Sequence, residues 1–157
     1  MSYSYLKLIH LVAVVLFMGN IITGLFWMAF AVKTKDLKIM NHTIKGIIKA
    51  ERYFTIPGVI VITTGGFLAA IYGRIPILGT GWIFWSLVLF SISGLVFSFK
   101  TAALQTKIYK LTISTTPSGD FNWAIFHKIY LEWSRWRLIG ILAPLAAFVM
   151  MTLKIPQ

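Results

Sequence analysis

The sequence predicts an all-α polytopic membrane protein: a four-transmembrane-helix bundle with cytoplasmic helical extensions. Three observations carry that expectation. Hydrophobic residues make up 58% of the 157-residue chain and the mean hydropathy is +0.81, more apolar than the surface of a soluble domain allows. The 15 Lys and Arg and 4 Asp and Glu cluster between long apolar runs. At about twenty apolar residues per crossing, the chain has room for four spans and little else, a single transmembrane domain over 1–157.

The first span is expected at 8–32. Ala29-Phe30-Ala31 near its end mimics a signal-peptidase site, but the apolar run is too long for a signal h-region and only Lys7 supplies an n-region charge, so a retained anchor is expected. The second span, 56–72, opens on Pro57-Gly58 and carries Gly65-Gly66 in its middle. The third is expected at 82–99 and the fourth at 138–153, the last borrowing turns back to Trp133 and bent by the internal Pro144.

Basic residues set the orientation. The connection between spans one and two holds Lys33, Lys35, Lys38, Lys45, Lys49 and Arg52; that between spans three and four holds Lys100, Lys107, Lys110, Lys128, Arg135 and Arg137. These twelve stand against three on the other side, Lys7, Arg74 and Lys154. The positive-inside rule then puts both long connections in the cytoplasm and both termini outside, in a cell inner (plasma) membrane. The net charge of +11 is thus a matter of bilayer orientation, not a nucleic-acid footprint. Trp82 and Trp85 are expected at the outer interface, and Trp27, Trp123, Trp133 and Trp136 near the inner one.

The long connections have helical patterning of their own. In "DLKIMNHTIKGIIKAER", Leu37, Met40, Ile44, Ile47 and Ile48 share one face, while Lys38, Lys45, Lys49 and Arg52 share another. This amphipathic helix can rest on anionic lipid at the cytoplasmic face or pack on its neighbours, continuous with span two until Pro57 interrupts it. "FNWAIFHKIYLEWSRWR" behaves similarly, with Asp120 as its expected N-cap.

Among residues able to carry chemistry, His10 is the only histidine inside a span. On a helix it shares a narrow stripe with Ala13, Phe17, Gly24 and Met28, with Asn20 on the flank, and that stripe is the expected inward face. Such a position suits an axial imidazole for haem, a metal ligand or a proton relay; equally, it suits a histidine bonded to a backbone carbonyl or water. Met150 and Met151 lie at similar depth on the fourth span, and methionine with histidine is an axial pair for haem, so haem b held by His10 with Met150 or Met151 as second ligand is the cofactor expected. Asn20 is expected to make an interhelical hydrogen bond, and Gly94 with Ser98 to allow close helix approach. Glu51 and Glu132, the only glutamates, are expected in ion-pair clusters with Arg52, Lys128 and Arg135, the alternatives being proton uptake or binding of a cationic group. His42 and His127 are expected in solvent. The absence of cysteine excludes disulfides, thiolate metal sites and cysteine nucleophiles, and no zinc, nucleotide or nucleophile motif is present.

"YLKLIH" opening the first helix, "ERYFTIPG" entering the second, "GW" opening the third and the closing "LKIP" together resemble a bacterial family of predicted integral membrane proteins of unknown function. That pattern is in turn similar to the HemJ-type protoporphyrinogen oxidases and the copper-resistance CopD-like proteins. The resemblance implies that His10 matches the first-helix histidine of the HemJ-type pattern, Glu51 and Arg52 its acidic-basic pair, and Pro57 its second-helix proline. The third helix departs from it, with Ser86 and Phe97 where that pattern has a lysine and a histidine. Two functions follow as expectations. One is a haem-binding or redox-associated membrane protein with His10 as ligand; the other is a non-catalytic assembly partner or small transporter subunit. Either is compatible with a homo-oligomer or a partner membrane protein.

Overall fold

The computed structural model describes residues 3–113 and 121–156. Six α-helices follow in order: α1 (Tyr3–Thr34), α2 (Leu37–Ala50), α3 (Ile56–Tyr72), α4 (Gly81–Val96), α5 (Ala102–Ile113) and α6 (Trp123–Leu153). Short π-helical turns, Glu51–Thr55 and Phe97–Thr101, join α2 to α3 and α4 to α5 without a break. The chain therefore makes four long helices, Tyr3–Thr34, Leu37–Tyr72, Gly81–Ile113 and Trp123–Leu153, each long and apolar enough to cross a membrane. Outward side chains such as Val15, Ile60, Leu95 and Leu142 are exposed along their length. With no polar face in their central stretches, these helices require hydrocarbon around them.

The helices run further than the spans expected from hydropathy, because the polar connections continue them. Pro57 does not end the second helix. Proline lacks an N–H and its ring crowds the carbonyl four residues back. The π-turn directly before it relieves this by widening the register: the Ile56 N–H donates to the Glu51 carbonyl, five residues back. Asp36 starts α2 by accepting from the Lys38 and Ile39 N–H groups at 2.7 and 3.3 Å. The expected cap at Asp120 lies outside the described residues; Asn122 caps α6, its side chain accepting from the Ile125 N–H at 3.0 Å.

Two helix pairs build the membrane half, α1 with α3 and α4 with α6, and α1 also packs on α6. Ser86 and Ser93, two turns apart on α4, donate to the Ala147 and Gly140 carbonyls of α6 at 3.1 and 2.8 Å. This, rather than Gly94 and Ser98, is the close-approach face: Gly94 and Ser98 are exposed, and a Cβ on Gly94 would meet nothing within 4 Å.

At the lysine-rich end the ends of α1 and α6 join α2 and α5 in a second packed layer. Met28, Met40, Ile44, Ile108, Phe126 and Trp133 are sealed in it. The apolar face of α2 is thus covered by protein, with Asn41 donating to Thr112 Oγ1 across α2 and α5 at 3.0 Å. Trp133, expected at a lipid interface, is instead wholly buried here.

Candidate functional site

The inward stripe of α1 is Leu6, Ala13, Phe17, Ile21, Gly24, Met28 and Ala31, with His10 half-buried along it. His10 Nδ1 lies 2.8 Å from the Ile62 carbonyl of α3. A carbonyl carries no proton, so Nδ1 donates; in the neutral imidazole this leaves the lone pair on Nε2. Gly65 and Gly66 make room for the ring: a Cβ on Gly66 would sit 3.1 Å from His10 Cε1.

His10 lines a cavity of about 400 Å³ between the two helix pairs, at the end carrying both termini. Its walls are apolar, Val14, Phe67, Leu87 and Phe148 among them, and Met151 belongs to the same lining. Met150 does not; its carbonyl receives the N–H groups that close α6. Tyr3, Lys7 and Lys154 also border this terminal cavity.

The second centre is a buried ion pair. Arg137 Nη1 donates to Glu51 Oε1 at 2.5 Å, and the two side chains are only 2% and 6% exposed. Gln105 Nε2 donates to the same oxygen at 2.9 Å. Arg137 Nε and Nη2 both donate to the Ile21 carbonyl of α1, at 3.3 and 3.2 Å, and the guanidinium lies 5.0 Å from the Trp133 ring centre. Four helices therefore meet at one ion pair. Each π-turn flanks this centre: Glu51 and Thr55 are buried on one, Thr101 on the other. Nearby, Asn20 Nδ2 donates to Thr55 Oγ1 at 2.9 Å, tying α1 to the first π-turn.

Glu51 thus pairs with Arg137, not with the arginine beside it. Arg52 is exposed, as are Glu132, Arg135 and Lys128, and among the described residues no ion pair joins them. His42 and His127 are exposed. Arg137, Gln105 and Gly24 are not among the site residues expected from the sequence. A signal existed. Glu51 continues the Met40, Ile44, Ile47 stripe, and Arg137 falls on the Trp133, Gly140, Pro144 stripe, so both charges sit on inward faces.

A central cavity of about 310 Å³ adjoins Arg137, bordered by Thr55, Ser93, Ser98 and Thr101 as well as apolar residues. Phe17 and Phe90 border both cavities and pack against each other with ring centres 5.7 Å apart, forming the wall between them.

Buried polar groups that find partners across helices, under an outer surface of aliphatic side chains, define a multi-pass integral membrane protein. The chain belongs to the family described as predicted integral membrane protein (DUF2269), which matches residues 4–155. No curated protein and no solved structure matches it.

Proposed function

We propose that this protein is a haem-associated, redox-type membrane protein, in which His10 Nε2 would ligate a haem b held in the terminal cavity. The observation that carries the reading is the His10–Ile62 bond. Fixing Nδ1–H on a backbone carbonyl is the arrangement that orients a ligating histidine and raises the basicity of its other nitrogen. The donor set fits the group. Apolar walls give a dry slot, Met151 offers a thioether, and Lys7 and Lys154 supply cations for two propionates. Bound there, haem would supply one-electron chemistry. The reading includes kinship with the HemJ-type and CopD-like proteins but not protoporphyrinogen oxidation, since Ser86 is engaged with α6 and Phe97 has no basic group.

Orientation belongs to the same proposal. The lysine-rich layer of α2 and α5 faces the cytoplasm and its anionic lipid, and both termini face outward from a plasma membrane, as the twelve-to-three distribution of basic residues favours. A reporter fused after Gln157 that is active only in the cytoplasm would contradict it.

The same hydrogen bond favours a second reading, a non-catalytic assembly partner or small transporter subunit, because it satisfies the ring's Nδ1–H and ties α1 to α3. An absorption spectrum of protein purified from haem-replete cells separates the two: a Soret band supports the first, and a colourless, folded protein removes it.

A further inference from the structure

The geometry points to the central cavity as a binding site for a lipid-soluble quinone, its ring against Arg137 and its tail leaving between α3 and α4. The hairpin at 73–80 joins α3 to α4, yet these two helices do not pack on each other. The central cavity lies along that seam, with Thr55, Ile56, Val59 and Ile60 on one side and Ser93, Gly94, Phe97, Ser98 and Thr101 on the other. A ligand therefore reaches it from the bilayer, not from water.

The polar end of the cavity is rich in donors. Arg137 has five N–H groups, of which three are used, on Ile21 and Glu51, leaving one on each terminal nitrogen. The Ser98 and Thr101 hydroxyls make no hydrogen bond to any described residue. Thr55 accepts from Asn20 and keeps its own O–H to give. Of the carbonyls on the lining, those of Ile21 and Gly140 already receive bonds; the hydroxyls can give or accept, whereas the two spare guanidinium N–H groups can only give. The fitting ligand brings acceptors.

It is also neutral. Glu51 already balances Arg137, so a carboxylate or phosphate would leave an uncompensated charge in hydrocarbon. Carbonyl oxygens on an uncharged ring carry no such penalty. Phe17, Phe90 and Phe97 offer faces for a planar ring, and the open seam offers a path for an apolar tail. This site does not rest on the terminal-cavity reading, and a His10→Ala protein is expected to keep it.

The test is equilibrium binding of decyl-benzoquinone to purified protein in detergent, with decylbenzene and decanoate as competitors. Wild type should bind saturably, and neither competitor should displace the quinone. Gly94 borders the cavity and a Cβ there meets nothing within 4 Å, so Gly94→Leu adds bulk at the cavity wall without a clash at its Cβ. It should weaken binding about tenfold or more, as should Ser98→Leu. Gly19→Leu, whose site is equally open but outside both cavities, should bind like wild type. Unchanged affinity in folded Gly94→Leu and Ser98→Leu overturns the proposal. So does equal competition by decylbenzene, which would mark a plain hydrocarbon slot, or by decanoate, which would mark an anion site.

Discussion

Gly24 and Arg137 occupy space that only a glycine leaves open: a Cβ built on Gly24 would fall 2.5 Å from Arg137 Nη2. The guanidinium cannot step aside cheaply, because it is held at once by Glu51, by the Ile21 carbonyl and by the Trp133 ring. Gly24→Ala should therefore lower stability by about 1–3 kcal/mol, the usual cost of overpacking a filled site. Gly19→Ala, with nothing within 4 Å, should leave the melting temperature unchanged or slightly raised. Equal melting temperatures for Gly24→Ala and wild type in detergent would show that the guanidinium is not held.

The ion pair should behave as a unit. Arg137→Met or Glu51→Leu alone leaves a buried charge without its partner, at a cost of about 3–5 kcal/mol. The double variant Glu51→Leu/Arg137→Met removes both charges and should recover much of that loss. Additive losses in the double variant would argue against a direct coupling.

Asn20 and Thr55 form a smaller link. Their coupling in a double-mutant cycle, Asn20→Ala against Thr55→Ala, should be about 0.6 kcal/mol, typical of hydrogen bonds between membrane helices. A coupling indistinguishable from zero would mean that the bond adds nothing beyond packing.

The apolar runs made the four-helix architecture legible. The spans are apolar all round, so the α1 stripe of Ala13, Phe17, Gly24 and Met28 reads from its helical spacing to His10 rather than from any polar–apolar period. What periodicity cannot contain is which helix lies beside which. Glu51 and Arg137 are 86 residues apart, and Arg52 is far nearer in sequence, so the pairing could only come from packing. Pro57 misled for a local reason: it ends a regular α-helix, but a π-turn before it absorbs the missing bond. The interface expectation for Trp133 rests on the general preference of tryptophan, whereas its spacing to Arg137 and Gly140 puts it on the buried face.

The cover over α2 predicts opposite behaviour at adjacent residues. Ile44 is fully buried and Lys45 is exposed. A nitroxide at 45 should be accessible to a water-soluble relaxation agent and mobile; one at 44 should be neither. Equal accessibility at the two positions would contradict the packing of α2 on α1 and α5.

The central claim is that His10 ligates haem. Its most direct test compares His10→Ala with His127→Ala, each purified from haem-replete cells and measured for haem per folded protein by absorption spectroscopy. His127 is exposed on α6 and borders neither cavity. The account predicts that His127→Ala keeps the wild-type Soret band while folded His10→Ala loses it. A His10→Ala protein that retains its full haem complement would contradict the account and leave His10 as a helix-packing residue.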